Sequence, residues 1–149
     1  MGAGDGSGSA GAANTGEVLV GVPGGPDGLD FTPLPDDGEL RLETFGQGGT
    51  HVLLGVRCIG FGSRAFVSLK TRNSRTGLEL TAPAPARAQL LFCTGAECDL
   101  VPITMMMGGI AASDAERNGL PIEVTAEVHN QAGLTGEATV RAHLSTADL

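Results

Sequence analysis

The sequence predicts a single all-β domain, a sandwich of about seven to nine antiparallel strands in two sheets. Apolar and polar residues alternate with a period of two over most of the chain, and turn residues recur about every 8–15 positions. The length of 149 residues fits one domain, and 41% apolar residues suffice for one hydrophobic core.

The clearest strands lie at the end of the chain. From 122 to 129 the residues Ile, Val and Ala alternate with Glu, Thr and His, and a similar alternation runs from 137 to 144. Asn130 to Gly133 separates the two segments and supplies a residue suited to positive φ. Together they predict a hairpin.

The remaining strands follow from shorter patterns. Residues 39–43 place two leucines on one face and charges on the other, whereas 52–59 is apolar on both faces, as in a central strand. Further strands are expected at 17–22 as an N-terminal edge, at 64–71 with 76–81, and at 88–93 with 97–107.

Two other segments carry structural signals. Pro83-Ala84-Pro85 interrupts the alternation and predicts a crossing between the sheets. Ser113 to Gly119 is the one helix candidate, with Ser113 as N-cap, Glu116 three residues later and Gly119 just past its end.

The N-terminal residues 1–15 have the Gly/Ser/Ala-rich composition of a flexible linker, which places the folded domain at 16–149. Such linkers typically follow a cleaved or lipid-modified N-terminus. We therefore expect an extracytoplasmic protein (periplasmic, secreted or an outer-membrane lipoprotein) whose export signal has been replaced by Met1. A cytoplasmic protein with a flexible N-terminus is the alternative.

Charge and aromatic content bear on the partners. The net charge of −8 argues against nucleic acid and against anionic membrane surfaces. Aromatic residues make up only 3% of the chain, which disfavours base-stacking and carbohydrate platforms. No run of about 18 apolar residues occurs, so no transmembrane segment is expected.

Two stretches carry a family resemblance. Residues 122–144, with alternating strands around an Asn-x-x-Gly turn, resemble the final hairpin of bacterial immunoglobulin-like domains. The runs Asp30-Phe31-Thr32-Pro33-Leu34, Asp37-Gly38-Glu39-Leu40 and Gly46 to Val52 are similar to exported, often lipid-anchored proteins of myxobacteria-like Gram-negatives, although Leu53 and Leu54 stand where an aromatic is expected. The resemblance implies an immunoglobulin-like sandwich and export, and it implies no activity.

The cysteine spacing predicts one disulfide. Cys93 and Cys98 bracket Thr-Gly-Ala-Glu and suit a bridge across a tight hairpin. Cys58 shares a strand face with Val52, Leu54 and Val56, and we expect it to be a buried free thiol. A Cys58–Cys93 bridge between the sheets is the alternative, and a cysteine nucleophile is disfavoured because no histidine is placed to activate it.

Metal sites receive weak support. His51, which follows two glycines at a strand start, is the one histidine of interest, because His129 and His143 fall at opposite ends of the predicted hairpin. Asp27 and Asp30, with Asp36 and Asp37, lie in a Gly/Pro-rich segment but lack the spacing of a calcium loop. Met105 to Met107 could supply soft copper ligands, although core filling is the favoured interpretation.

No catalytic motif is recognised, so the sequence predicts a protein that is not an enzyme and has no cofactor. The favoured function is an exported or cell-envelope module that binds a protein or other envelope macromolecule through sheet edges or end loops, with possible self-association of edge strands. The alternative is a periplasmic small-ligand or metal-binding protein that uses His51 and adjacent loops. An enzyme with an unrecognised site ranks third.

Overall fold

The computed structural model describes residues 15–44, 50–81, 87–107 and 117–146. Over these ranges the chain is all-β, with essentially no helix. The eleven strands within them are β1 (Glu17–Gly24), β2 (Asp30–Pro33), β3 (Gly38–Arg41), β4 (Glu43–Thr44), β5 (Thr50–Ile59), β6 (Arg64–Asn73), β7 (Arg87–Leu90), β8 (Phe92–Thr94), β9 (Glu97–Met106), β10 (Pro121–His129) and β11 (Thr135–Ser145).

The strands form two sheets, as expected. The first sheet has the order β2-β1-β5-β9-β8, with β4 also paired to β5, and the second has the order β3-β11-β10-β6-β7. The pairs are antiparallel except β3 with β11, which is parallel. An entirely antiparallel arrangement is therefore wrong at this one edge, where the chain passes from β2 in the first sheet to β3 in the second.

One hydrophobic core is shared by both sheets, because each contributes buried side chains to the same cluster. In β10 every second residue is buried, which leaves Glu123, Thr125 and Glu127 on the opposite face. The largest fully buried side chains include Leu40, Leu42, Leu54, Leu80, Ile122 and Leu144.

The final hairpin is confirmed. Strands β10 and β11 pair continuously from Pro121–His143 to His129–Thr135, and Gly133 in the turn has a φ of 91°. The Asn130 side chain holds this turn, since its Oδ1 accepts from the Leu134 amide at 3.0 Å and its Nδ2 donates to the Phe61 carbonyl at 3.1 Å. The turn is thereby attached to the loop that follows β5.

Two predicted strand assignments are wrong. The strand predicted at 17–22 is not an edge over its whole length, because β2 pairs with the outer side of β1 from Gly21 to Gly24. Residues 76–81 do not form a strand either, and only an isolated bridge joins Arg72 to Glu79. There the chain turns back on the end of β6: the Gly77 amide donates to the Asn73 carbonyl, and Gly77 has a φ of 77°.

Within the described residues a crossing between the sheets lies at Leu91. The predicted strand 88–93 is divided there, with β7 paired to β6 in the second sheet and β8 paired to β9 in the first. Leu91 is buried between the two halves. This division, together with β2 and β4, accounts for a strand number above the predicted seven to nine.

Some predicted features lie outside the described residues. These are the linker up to residue 14, the segment 83–85, and helix residues 113–116. Gly119, proposed as the residue just past that helix, has a φ of 80°.

Candidate functional site

A groove of about 550 Å³ lies on the face of the first sheet that points away from the core. Strands β5, β9 and β8 supply its floor and one wall, and β2 with the turn before it supplies the other wall. The residues that line it are Leu29, Asp30, Phe31, Arg57, Phe92, Thr94, Asp99 and Val101.

One row of side chains across three strands supplies the floor and one wall. Phe92 pairs with Asp99, and Asp99 pairs with Arg57 in the next strand. Because side chains alternate along a strand, these three point outward while Cys98 and Cys58 in the adjacent row point into the core. The register therefore places an aromatic, an acidic and a basic group side by side.

Arg57 is fixed by a two-point ion pair. Its Nε donates to Asp99 Oδ1 at 2.7 Å and its Nη2 donates to Asp99 Oδ2 at 2.9 Å. Glu97 lies farther away, 3.8 Å from Nη1. The hydrogen bond to Asp99 is the main cause of the raised pKa of Arg57, so the guanidinium stays charged.

Phe31 reaches the groove because two glycines leave room for it. Gly21 and Gly55 are paired in neighbouring strands, and a Cβ on Gly21 would lie 2.6 Å from Cε1 of Phe31. The ring thus lies over the two glycines, with the Arg57 guanidinium carbon 4.7 Å from its centre. Phe31 is buried although it lies on the outer face.

A bulge completes the floor. The pairing of β9 with β5 shifts between Leu100 and Ile103, so Val101 and Pro102 together lie opposite Gly55. Val101 is half-buried and lines the groove. The space above Gly55 is therefore occupied by the side chains of Val101 and Phe31.

The two walls are apolar and exposed. Phe92 is 78% exposed and Leu29 is 62% exposed, which are high values for large apolar side chains in a folded domain. Phe92 lies on β8, at the edge of the sheet. The two walls therefore present apolar surface to solvent.

The charge around the groove is negative. Arg57 is neutralised by Asp99, and the exposed Asp30 makes no ion pair with any residue of the described ranges. An apolar groove with an unneutralised carboxylate at its wall favours an apolar ligand that carries a positive charge nearby.

The structure separates the predicted metal residues. His51 is buried on β5, opposite Met106 and Glu43, and six residues from Arg57, which places it roughly 20 Å along the strand from Arg57. Asp27 is exposed in the turn between β1 and β2, and Asp30 alone lines the groove. Within the described ranges, no group of three or more His, Cys, Asp or Glu side chains could hold a metal ion.

The other two acidic residues are engaged elsewhere. Asp36 accepts from Arg141 Nε at 3.1 Å, and this hydrogen bond lowers the pKa of the Asp36 carboxyl. Asp37 lies 3.5 Å from Nδ1 of His143. Both contacts tie the segment before β3 to β11 and do not form a calcium loop.

The remaining candidate metal ligands also lie apart from one another. Met107 is buried in the core, where its sulfur accepts from the Thr71 hydroxyl at 3.7 Å. His129 stacks on Phe66 at the turn end of the final hairpin, with ring centres 4.7 Å apart. His143 lies at the other end of that hairpin, as expected.

The Cys93–Cys98 disulfide is present, with its Cα atoms 4.0 Å apart. Cys58 is a buried free thiol, and burial raises the pKa of that thiol from 9.0 to about 12. Cys58 pairs with Cys98 in the register, and Cys93 lies one strand farther away. The alternative Cys58–Cys93 bridge is therefore not formed.

The sequence did not identify most of the groove. Leu29, Arg57, Phe92 and Asp99 belong to no recognised motif, and of the lining residues the sequence indicates Asp30 alone as a site candidate, for a metal. A usable signal existed in the charged residues at 57 and 99, which interrupt otherwise apolar strands.

No helix of the described ranges is long and apolar enough to cross a membrane. No protein-family model matches the chain, and no curated protein matches it at a significant level.

Proposed function

We propose that this chain is a non-enzymatic, immunoglobulin-like module of the cell envelope or exterior that binds another protein at the groove on its first sheet. The observation that supports this most directly is the exposure of Phe92 and Leu29 on opposite walls of one groove, beside the exposed carboxylate of Asp30. The partner is a polypeptide segment that carries a large apolar side chain next to a lysine or arginine.

The apolar walls would supply most of the affinity. Burying one large apolar side chain contributes roughly 1.5–3 kcal/mol, so Phe92 and Leu29 together would contribute roughly 3–6 kcal/mol before the losses on association. Because Phe31, Arg57 and Asp99 are already held in place, little ordering of the floor is needed. A partly prearranged groove favours binding of an extended segment.

Charge would supply the selectivity. Arg57 and Asp99 neutralise each other, so Asp30 is the carboxylate that remains to pair with a basic residue of the partner. Glu97, which lies close to the same row, adds negative charge there. The net charge of −8 would attract a basic partner from a distance. An acidic partner would be repelled by both features.

The disulfide supports an extracytoplasmic location, because such bonds persist in oxidising compartments and are rare in the cytosol. The two sheets with a shared core and the closing hairpin support an immunoglobulin-like fold. Neither property depends on the groove.

The test is selection of a random peptide display library on the immobilised, disulfide-bonded full chain. We expect the selected peptides to combine large apolar residues with lysine or arginine, and to bind Phe92→Ala at least tenfold more weakly. The matched control is Leu78→Ala, which removes another exposed apolar side chain that does not line the groove. Peptides that bind both variants equally, or that are enriched in acidic residues, would contradict the proposal.

A small organic cation is the competing ligand class, because a volume of about 550 Å³ is within the range of small-molecule sites. It would be recognised by saturable binding of hydrophobic amines with no enrichment of peptides. That result would overturn the protein-binding proposal in favour of a small-ligand protein.

A further inference from the structure

The three cysteines lie in one row across the first sheet. Cys58 on β5 is directly opposite Cys98 on β9, and Cys98 is directly opposite Cys93 on β8. Cys58 and Cys98 are buried in the core, whereas Cys93 is exposed at the sheet edge. The central cysteine therefore has a cysteine neighbour on either side.

Both neighbours are within reach of a disulfide. Directly opposite residues of an antiparallel pair have Cα atoms roughly 4.5–5.5 Å apart, and most disulfides span roughly 4.4–6.8 Å. The Cys93–Cys98 bridge itself spans 4.0 Å. Cys58 and Cys93 are separated by two strand spacings, or about 9–10 Å, which no disulfide spans. The fold thus permits two bridges, Cys93–Cys98 and Cys58–Cys98, and excludes the third.

We propose that Cys98 exchanges its disulfide partner between Cys93 and Cys58, and that this exchange controls the wall of the groove. The Cys58 thiolate attacks Sγ of Cys98, the Cys58–Cys98 bond forms, and the Cys93–Cys98 bond breaks. The electron pair leaves on the Cys93 sulfur, which takes up the proton that Cys58 lost. The exchange is an isomerisation, so no external oxidant or reductant is consumed.

The effect on the groove follows from the position of Cys93. It is the neighbour of Phe92 on β8, a strand of only three residues at the sheet edge. The Cys93–Cys98 bond attaches this short strand to β9, and exchange releases it. A released β8 would no longer hold Phe92 against the groove, so binding there should weaken. This consequence rests on the proposed function, whereas the exchange itself does not.

Burial makes the exchange slow. Only the thiolate attacks a disulfide, and the core around Cys58 keeps that group in its neutral thiol form. The Cys93 sulfur is the leaving group, and it belongs to an exposed residue of the edge strand, whereas Cys58 and Cys98 are buried. Local opening of β8, or reaction of the released Cys93 thiol with another reagent, would favour the form with the Cys58–Cys98 bond.

The test uses three single variants of the full chain, each oxidised with glutathione disulfide and then unfolded in acid for thiol counting. Cys58→Ser leaves the native pair, and Cys93→Ser leaves the proposed second pair. Cys98→Ser leaves two cysteines that lie too far apart. We expect an intramolecular bridge in the first two variants and two unbridged cysteines in the third. A Cys93→Ser protein that remains unbridged would overturn the proposal.

The wild-type protein provides a second measurement that does not depend on a variant folding. Native protein is incubated with N-ethylmaleimide, quenched in acid and mapped by peptide mass. We expect the adduct on Cys93 together with a Cys58–Cys98 bridge. An adduct confined to Cys58, with the Cys93–Cys98 bridge intact, would overturn the exchange.

Binding of a selected peptide to this trapped form tests the control of the groove. We expect at least tenfold weaker binding than to the untreated protein. Unchanged binding would contradict the control of the groove by the exchange, but not the exchange itself. A wild-type protein that selects no peptide would instead contradict the proposed function.

Discussion

The two glycines beneath Phe31 offer a matched pair of substitutions. Gly21 and Gly55 are paired across β1 and β5 and both lie under the ring. A Cβ on Gly21 would overlap the backbone carbonyl oxygen of Thr32 and approach Cε1 of Phe31 to 2.6 Å. A Cβ on Gly55 would meet side chains only, Cγ2 of Val101 at 3.1 Å and Cδ1 of Phe31 at 3.4 Å.

The expected costs differ accordingly. For Gly21→Ala, β2 must move away from β1, and such overpacking costs roughly 1–3 kcal/mol. Displacing the buried Phe31 ring costs a further 1.5–3 kcal/mol or so, and reduced chain entropy in the unfolded state returns about 0.4–1 kcal/mol. We expect Gly21→Ala to lower the free energy of unfolding by about 2–5 kcal/mol and Gly55→Ala to change it by less than about 1 kcal/mol.

Urea unfolding followed by far-ultraviolet circular dichroism measures both values, since the chain has no Trp or Tyr for fluorescence. Equal stabilities of Gly21→Ala and Gly55→Ala would refute the placement of Phe31 over the sheet. That result would also remove the support for Arg57, whose guanidinium lies over the same ring.

Two further predictions concern the turn and the buried thiol. Asn130→Ala should lower the free energy of unfolding by roughly 1–3 kcal/mol, because two partly buried hydrogen bonds are lost. The control Gln131→Ala, at the exposed neighbouring residue, should change that free energy by less than about 0.5 kcal/mol. Equal effects of the two substitutions in urea unfolding would contradict the role of Asn130 in holding the turn. The pKa of Cys58 is raised in the folded protein, so its contribution to stability is complete below the ordinary value of 9.0 and is lost as pH rises toward about 12. We expect stability to fall by up to about 1.4 kcal/mol per pH unit in this window in the wild type but not in Cys58→Ala, and a wild type without this extra slope would contradict it. Few other groups titrate in this pH window, because the chain has no Tyr and a single lysine, Lys70, so the difference between wild type and Cys58→Ala can be assigned to the thiol.

Features set by neighbouring residues could be predicted from the sequence. The final hairpin follows from strict alternation around Asn130 to Gly133, and the Cys93–Cys98 bridge closes a separation of only five residues. The all-β class follows from the same period-two pattern over most of the chain. In each case the signal lies within one strand or one turn.

Features set by strand order could not be predicted in the same way. Whether β1 is an edge depends on β2, whose four residues carry a single buried side chain and hence little pattern. The division of 88–93 at Leu91 depends on which sheet each half joins. The parallel pairing of β3 with β11 depends on a contact between distant parts of the chain.

The groove depends on the register of three strands at once. Arg57 and Asp99 are 42 residues apart, and only the pairing of β5 with β9 reveals that they form one ion pair. Phe92 joins their row through the pairing of β8 with β9. His51, by contrast, attracted notice from its local sequence but lies buried at the other end of β5.

The central claim is that the groove between Phe92 and Leu29 binds an apolar, basic segment. It is tested most directly by titrating isotopically labelled full chain with a peptide that alternates leucine and lysine, while backbone amide shifts are followed by nuclear magnetic resonance. We expect saturable shifts at residues that line the groove. The peptide should bind Asp30→Asn about tenfold more weakly than it binds the control Glu127→Gln, a substitution on the second sheet. A peptide that alternates leucine and glutamate should not bind. Shifts confined to the second sheet, or equal binding of the two peptides, would contradict the account.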